Sequence, residues 1–364
     1  MRPLHVAQLQ VRAFRNLQSV DLEPGERFNV VSGDNGQGKT NLLEALYVAA
    51  TSKSFRTSKL GDLVGFDAEL ASVRATLSDD GEPRVQSVGV KPGMRLVRID
   101  DKRPPSLAAY AVRSPIVVFH PGEMSLSMGS SSERRRLLDR TSLYMSPQSM
   151  ADLEAYTRAQ KERQRALETR GTNATDLGEW ETLVVRHGLE VMAHRARAAE
   201  LVGVKALEAF ARIAAPELVL EAAYAPSAPT DAGEFLDTLV GRRASDMRRG
   251  SAGVGPHRDD LALAIDGHPV RGVASQGQHR AVTLALKSAE IEVVGAARGV
   301  RPILLLDDVS SELDRARTAA LFSFLREQRG QVFLTTTRPE LIDTGTDGSA
   351  RRDFVVSAGV VRAT

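Results

Sequence analysis

The feature that most constrains the fold is a glycine-rich segment between a predicted strand and a predicted helix. Residues 33–40 read Gly-Asp-Asn-Gly-Gln-Gly-Lys-Thr, which is the GxxxxGKT pattern of a phosphate-binding loop. Residues 28–32 before it are mostly apolar and favour a strand, and residues 40–50 carry apolar side chains at helical spacing. A strand, a tight loop and a helix in this order predict an α/β domain.

This loop has the chemistry to hold the phosphates of ATP together with Mg²⁺. Glycines let successive backbone amides turn inward, and the helix N-terminus adds partial positive charge. Lys39 is expected to reach the terminal phosphates, and the Thr40 hydroxyl is expected to coordinate the metal. The residues predicted to contact ATP from this segment are Gly33, Asp34, Asn35, Gly36, Gln37, Gly38, Lys39, Thr40 and Asn41.

A nucleotide hydrolase of this type needs a second carboxylate for its metal, presented from the end of a buried strand. Residues 303–306 read Ile-Leu-Leu-Leu and are followed by two aspartates. We expect Asp307 to support the Mg²⁺ site and Asp308 to act as the catalytic base that polarises the attacking water.

The composition excludes several kinds of cofactor site and cellular location. The chain of 364 residues contains no cysteine, which excludes disulfides, thiolate zinc sites and iron–sulfur clusters and favours the cytoplasm. No apolar run approaches the ~18 residues of a membrane span, so no membrane association is expected. The formal net charge of +2 is too small to identify a partner by itself.

The order of patterns predicts an α/β body interrupted by a helical lobe. Residues 70–99 alternate in short runs, as in an antiparallel meander. Residues 133–171 and 176–210 predict two long helices in an antiparallel hairpin. The predicted domains are therefore a discontinuous ATPase lobe, 1–120 plus 252–364, and a helical lobe, 121–251.

Three later segments resemble loops of the ATP-binding-cassette ATPases. Ser275-Gln276-Gly277-Gln278 before a helix is similar to the signature loop, which binds the γ-phosphate held by another subunit. Residues 309–314 are similar to the D-loop, and the segment ending in Thr336 lies where the switch loop is found.

Further motifs narrow the resemblance to the RecF family, which is related to the SMC-type chromosome ATPases. The resemblance extends from Leu4 to about Arg338. The segments that carry it are Phe14-Arg15-Asn16, residues 36–45, Ser54-Phe55-Arg56-Thr57, residues 133–139 and Gly255-Pro256-His257-Arg258-Asp259-Asp260.

The resemblance implies an SMC-like ATPase head: a P-loop domain with a mixed β-sheet, flanking helices and an inserted α-helical lobe. It implies a slow, DNA-stimulated ATPase that forms an ATP-dependent homodimer, binds double-stranded and gapped DNA, and works with RecR, RecO and RecA. It also assigns roles: Lys39, Asp308 and Thr336 in catalysis, Arg56 beside the nucleotide, and Ser275 to Gln278 on the partner's ATP.

Some alternatives remain open from sequence. Another SMC-like DNA ATPase or an ATPase subunit of a membrane transporter would use the same loops. A transporter normally carries a glutamine where His120 stands and a histidine where Thr336 stands. Arginines at 134–136 and 242–249 fit either DNA contacts or internal ion pairs, and His257 with Arg258 fits either coupling or a structural role.

Overall fold

The computed structural model describes residues 1–213, 217–308, 322–327, 330–342, 344–345 and 351–364. Its strands are β1 (Leu4–Phe14), β2 (Leu17–Leu22), β3 (Phe28–Ser32), β4 (Ala71–Asp79), β5 (Glu82–Lys91), β6 (Met94–Ile99), β7 (Ile116–Phe119), β8 (Leu220–Ala225), β9 (Asp260–Ile265), β10 (His268–Pro269), β11 (Ile303–Leu306), β12 (Val332–Thr336), β13 (Arg351–Ser357) and β14 (Val360–Ala363). Its helices are α1 (Lys39–Thr51), α2 (Leu107–Ala111), α3 (Ser125–Met128), α4 (Ser131–Met145), α5 (Gln148–Arg170), α6 (Leu177–Ile213), α7 (Ala232–Gly241), α8 (Arg243–Arg249) and α9 (Gln276–Arg298).

The chain forms two compact units, Met1–Glu123 with Val294–Thr364, and Met124–Val293. The first unit contains a six-stranded sheet in the order β14-β13-β3-β12-β11-β7. All neighbours in it pair in parallel except β14, which is antiparallel to β13. The strands β3, β7, β11 and β12 are buried along their whole length, as expected of parallel strands covered on both faces.

The second sheet of this unit is antiparallel, in the order β2-β1-β4-β5-β6. Side chains of β4 alternate between buried and more exposed positions, which confirms the predicted meander. Asp80 and Gly81 join β4 to β5 with φ of 57° and 87°. This two-residue turn suits the twist of a hairpin, and Asp-Gly tolerates its left-handed backbone.

The second unit is mainly helical, with a three-stranded sheet in the order β10-β9-β8. Helices α5 and α6 pack antiparallel, because Arg163 meets Glu181 while Asp152 meets His194. The predicted single helix over 133–171 is wrong: α4 ends at Met145, and α5 begins after Pro147. Proline has no amide hydrogen to donate within a helix, so it begins a new one.

The return to the first unit comes at Val294, which differs from the predicted boundary at residue 252. Strand β9 pairs with β8 along six residues and so belongs to the second unit. Most of α9 does too, because Val282 and Leu286 pack in the same hydrophobic core as Leu220 and Leu261.

The segment from Gly255 to Asp260 forms the centre of a buried ionic network in the second unit. Asp259 is fully buried and accepts hydrogen bonds from the Ser227 amide at 2.9 Å, from the Tyr224 hydroxyl and from Arg195 at 3.2 Å. Arg195 also forms two hydrogen bonds with Asp139. Several helices and strands are thereby joined through one carboxylate.

The neighbouring His257 forms hydrogen bonds through both ring nitrogens within the same unit. Its Nε2 lies 3.0 Å from the Ala252 carbonyl oxygen, which can only accept, so Nε2 carries the proton. Nδ1 then accepts from the Tyr156 hydroxyl at 2.6 Å. Burial lowers the pKa of His257, which keeps this neutral tautomer, and Arg258 Nε donates to the same Ala252 oxygen.

We expect Asp259→Ala to lower the free energy of unfolding of the second unit by about 3–5 kcal/mol, because it leaves Arg195 buried with one partner fewer. Urea denaturation followed by fluorescence of Trp180, the single tryptophan, measures this change. The exposed Glu221 is the matched control, and Glu221→Ala should change stability by about 0.5 kcal/mol or less. Equal effects of the two variants would contradict the role of Asp259.

Candidate nucleotide-binding site

The parallel sheet brings four of the predicted site segments to one edge. In its register Thr336 lies opposite Ser32, the residue before the glycine-rich loop. Leu306 lies opposite Phe119, so Asp307 and His120 both follow strand ends at this edge. Carboxyl ends of parallel strands are the usual position of a ligand site in α/β folds.

The loop between β3 and α1 depends on glycine at two positions. Gly33 has φ of 144°, and a side chain there would place its Cβ 2.3 Å from the Val356 carbonyl oxygen. Gly38 has φ of 117°, and its Cβ would lie 2.8 Å from the Asn16 side chain. Neither backbone conformation suits another residue, and neither position has room for one. The loop therefore closes tightly against β13 and the β1–β2 turn.

Lys39 holds a positive charge inside this loop. Its ammonium donates to the carbonyl oxygens of Gly33 at 2.7 Å and Asp34 at 2.9 Å, and the residue is 8% exposed. No salt bridge joins it to an acidic side chain in the described part of the chain. A charge that is hydrogen-bonded but not neutralised, at the start of a helix, is a site for an anion.

Asp307 lies beside the loop at the end of β11. Its Oδ1 accepts hydrogen bonds from the Thr40 hydroxyl at 2.9 Å and from the Thr335 hydroxyl at 2.8 Å. The Thr335 hydroxyl oxygen in turn accepts from the Asp308 amide at 2.8 Å. The two residues predicted to hold Mg²⁺ are therefore in contact, although 267 residues separate them in the chain.

Glu44, one turn along α1, is fully buried and collects three donors. It accepts two hydrogen bonds from Arg15, one from Ser54 and one from Arg56 at 3.2 Å. Arg56 also donates to Asn41 at 2.7 Å. Two guanidinium groups share one carboxylate, so the cluster keeps a net positive charge on the side of α1 that follows the loop.

Asn16 extends these contacts to the loop itself. Its amide nitrogen donates to the Gln37 carbonyl oxygen at 3.1 Å, and its amide oxygen accepts from Asn41 at 2.8 Å. Gln37 is held further by the amides of Ala358 and Gly359. The β1–β2 turn and the β13–β14 turn thus fix the glycine-rich loop from two sides.

Ser275 caps α9 in the second unit. Its hydroxyl accepts from the Gln278 amide at 3.2 Å, and the Gln278 side chain accepts from the Ser275 amide at 2.8 Å. This reciprocal pair is a capping box, which fixes where the helix begins. Ser275 and Gln276 are exposed, and Gly277 with Gln278 is partly so. The predicted signature loop therefore offers its groups at a helix N-terminus that faces solvent.

Of the other residues predicted to belong to the site, Thr336 and His120 are described by the structure. Thr336 is fully buried, and its hydroxyl accepts from the Arg338 amide at 2.9 Å. His120 stacks on Phe55 with ring centroids 5.4 Å apart. The predicted D-loop at 309–314 lies outside the described residues, as does most of the helix predicted at 315–328.

Sequence reasoning missed four residues that shape the site. Arg15, Asn16 and Glu44 were part of the family resemblance but were given no role, and Thr335 was placed only in the switch segment. The first three share a sequence signal: a basic, an amide and an acidic residue lie next to apolar residues in their segments. Their pairing depends on contacts between distant segments, which spacing does not reveal.

Comparison with known proteins decides among the candidate families. The family model for the RecF/RecN/SMC N-terminal domain matches residues 5–350. The DNA replication and repair protein RecF of Anaeromyxobacter sp. strain Fw109-5 is 39% identical and covers 98% of this chain and 99% of its own length. The chain belongs to the RecF family. RecF of Myxococcus xanthus is 37% identical, with 93% and 92% of the two chains covered.

Solved structures agree with this membership in the RecF family. The recombination mediator protein RecF-ATP of the RecFOR pathway matches with a TM-score of 0.88 and 28% identity, covering 100% of this chain and 98% of the other. The Smc head domain from Pyrococcus furiosus matches with a TM-score of 0.55 at 14% identity, which shows a shared fold. The predicted SMC-like ATPase head is confirmed, and a transporter subunit is no longer a candidate.

The RecF-family chain is thus a DNA replication and repair protein with the fold of an SMC-like ATPase. No helix in the described ranges combines the length and the hydrophobicity that a transmembrane segment requires.

We expect Glu44→Gln to destabilise α1 by about 3 kcal/mol, because it removes the charge that two arginines share in a buried place. Hydrogen exchange of the α1 amides measures this loss. The exposed Glu69 provides the control, since Glu69→Gln should leave exchange within about 0.5 kcal/mol of the parent. Unchanged hydrogen-exchange protection of α1 in Glu44→Gln would contradict this role of Glu44.

Proposed function

We propose that this chain binds and slowly hydrolyses ATP, and that ATP binding drives a homodimer that holds DNA during recombinational repair and replication restart. The observation that carries the proposal is the position of Lys39 and of the Thr40–Asp307 pair around one glycine-rich loop. The solved RecF-ATP and RecF-ATPrS structures, which belong to relatives, support ATP as the nucleotide.

The loop residues fit the phosphates of ATP by charge and by geometry. Lys39 supplies a cation that forms no salt bridge with any acidic residue the structure describes, and α1 begins at the same point. Arg56 adds charge near the loop, through Asn41. The ammonium and the amides of the loop would bind and orient the phosphates before any chemistry takes place.

The oxygens of Thr40 and Asp307 fit Mg²⁺, a hard cation that prefers oxygen ligands. These two residues would hold the ion, which when bound neutralises charge that develops on the phosphates. Asp308 follows Asp307 with φ of 49°, a left-handed conformation held by the hydrogen bond from its amide to Thr335. We assign Asp308 as the general base for the attacking water, with Thr336 at the neighbouring strand end.

A shared active site explains why the signature loop faces solvent. In the proposed dimer, Ser275, Gly277 and the α9 N-terminus of one copy meet the γ-phosphate held by the loop of the other copy. A capped helix start with an exposed serine is suited to this contact, because its amides and dipole favour an anion. Each ATP then joins two protomers, and hydrolysis separates them.

DNA binding is proposed through phosphate contacts, with duplex and gapped DNA as ligands. Arg134 is 5% exposed and fully engaged with Asp260, and Arg243 is paired with Glu181. The arginines of these two clusters that remain exposed are Arg136, which contacts Glu133, together with Arg248 and Arg249. A few cations on each protomer bind weakly, and a dimer doubles them along one duplex.

The partners follow from the pathway in which the solved relatives act. We propose RecR as the direct partner, with RecO and RecA in the same pathway, and the cytoplasm as the compartment. Loading of RecA at gaps would then be the outcome of the ATP-dependent clamp on DNA.

Two variants separate nucleotide binding from hydrolysis. Lys39→Ala should weaken ATP binding, whereas Asp308→Asn should bind ATP and lose about 10²- to 10⁴-fold in turnover, because an amide cannot accept the proton of water. Binding is measured with a fluorescent ATP analogue, and turnover as phosphate release with no DNA, single strand, duplex and gapped duplex.

Lys59→Ala provides a matched control, since Lys59 is exposed and lies outside the loop. It should match the parent in both measurements. Parent-like turnover in Asp308→Asn would remove Asp308 from catalysis, and parent-like ATP affinity in Lys39→Ala would contradict the proposed phosphate site.

A further inference from the structure

A second cluster of metal-ligating side chains lies in the helical unit, between α5 and α6. His187, Glu190 and His194 are spaced along α6, and Asp152 faces them from α5. His194 Nε2 lies 3.3 Å from one Asp152 oxygen, and His187 Nδ1 lies 3.9 Å from the other. One ligand atom each from Asp152, Glu190 and His194 lies within 4.8 Å of the other two.

The charges of this cluster are not balanced by permanent cations. Asp152 is 9% exposed, and its ion-pair partners are the two histidines. Among the described residues, neither Asp152 nor Glu190 forms a salt bridge with lysine or arginine. Two neighbouring carboxylates, one of them buried beside imidazoles and not beside lysine or arginine, favour binding of a cation because a buried charge that is not neutralised is costly.

An unsatisfied hydroxyl lies on the same stretch of α5, one turn before Asp152. Ser149 is 6% exposed, and its Oγ has no hydrogen-bond partner in the part of the chain that the structure describes. Ser149 and His194 line one small cavity of about 10 Å³. A space of this size holds about one water molecule, which would satisfy the hydroxyl.

The donor set selects the class of ion. Glu190 and His194 are four residues apart, so they lie on one face of α6, and Asp152 adds a ligand from the neighbouring helix. One imidazole with two carboxylates is a set of ligand atoms that Zn²⁺ accepts. Mg²⁺ prefers sites made of oxygen alone, so a histidine ligand favours a first-row transition ion.

We propose that Asp152, Glu190 and His194 form a Zn²⁺-class metal site that joins α5 to α6, with His187 as an additional group on Asp152. The ion would fix the start of α5 against the middle of α6. The adjacent Arg195 belongs to the buried network around Asp259, so the site lies next to the residues that hold the second unit together.

The test uses the full-length protein, stripped with a chelator and free of nucleotide, with Zn²⁺ as the probe. Titration calorimetry should show that the parent binds one Zn²⁺ ion per chain. In Glu190→Gln and in His194→Gln the affinity for Zn²⁺ should fall at least ~10-fold, because loss of a metal ligand lowers affinity at least as much as loss of a residue that only hydrogen-bonds to a ligand. Zn²⁺ should raise the melting temperature of the parent and not that of either variant.

Glu190 is exposed, so its substitution leaves the fold intact and keeps the test decisive if His194→Gln unfolds. Matched controls are Glu200→Gln, exposed on the same helix, and His268→Gln, exposed on β10. Both should bind Zn²⁺ as the parent does. Absence of Zn²⁺ binding in the parent, or equal binding in parent and Glu190→Gln, would overturn the proposal.

Discussion

The nucleotide site depends on one buried carboxylate, Asp307, and on the two hydroxyls that hold it. Thr40 and Thr335 donate to the same oxygen of Asp307, so α1, β11 and β12 are tied together at the carboxyl edge of the parallel sheet. The carboxylate is 6% exposed, and a charge in such a place needs hydrogen bonds in order to persist. The same arrangement leaves oxygen ligands beside the glycine-rich loop.

The rest of the site is built outward from this edge. Gly33 and Gly38 let the loop pass closer to Val356 and to Asn16 than any side chain would permit. Glu44 then holds two arginines behind the first turn of α1. The result is a loop that carries a positive charge at Lys39 and is held in place by hydrogen bonds from the neighbouring turns, which favours electrostatic stabilisation with little reorganisation.

The sequence predicts correctly those parts of the structure that are determined by residues close together in the chain. The loop at 33–40, the strand before Asp307 and the meander over residues 70–99 each follow from turn chemistry or hydrophobic spacing. The break at Pro147 and the late boundary at Val294 were not predicted. The residues on both sides of Pro147 favour helix, so the composition indicated one continuous helix. The boundary at Val294 depends on the pairing of β8 with β9, which joins segments about forty residues apart.

The residues of the nucleotide site also divide into those that a local motif predicts and those that depend on contacts between distant segments. Lys39, Thr40 and Asp307 are recognisable because their motifs require them at fixed spacing. Glu44 was not, because an acid in a helix normally faces water, and only the approach of Arg15 and Arg56 from other segments stabilises it when buried. Clusters of arginine in the sequence are a poor guide to DNA contacts for a related reason. Arg134 and Arg243 form salt bridges with Asp260 and Glu181 inside the second unit.

A nucleotide site shared between two copies is tested most directly by mixing two variants that are inactive for different reasons. Lys39→Ala keeps the signature loop but loses the phosphate loop, and Ser275→Arg does the reverse. We expect each alone to lack ATP turnover, and an equimolar mixture to regain a part of the parent rate, since each mixed dimer contains one intact pair of loops. Turnover by Ser275→Arg alone, or a mixture as inactive as its components, would contradict the shared site.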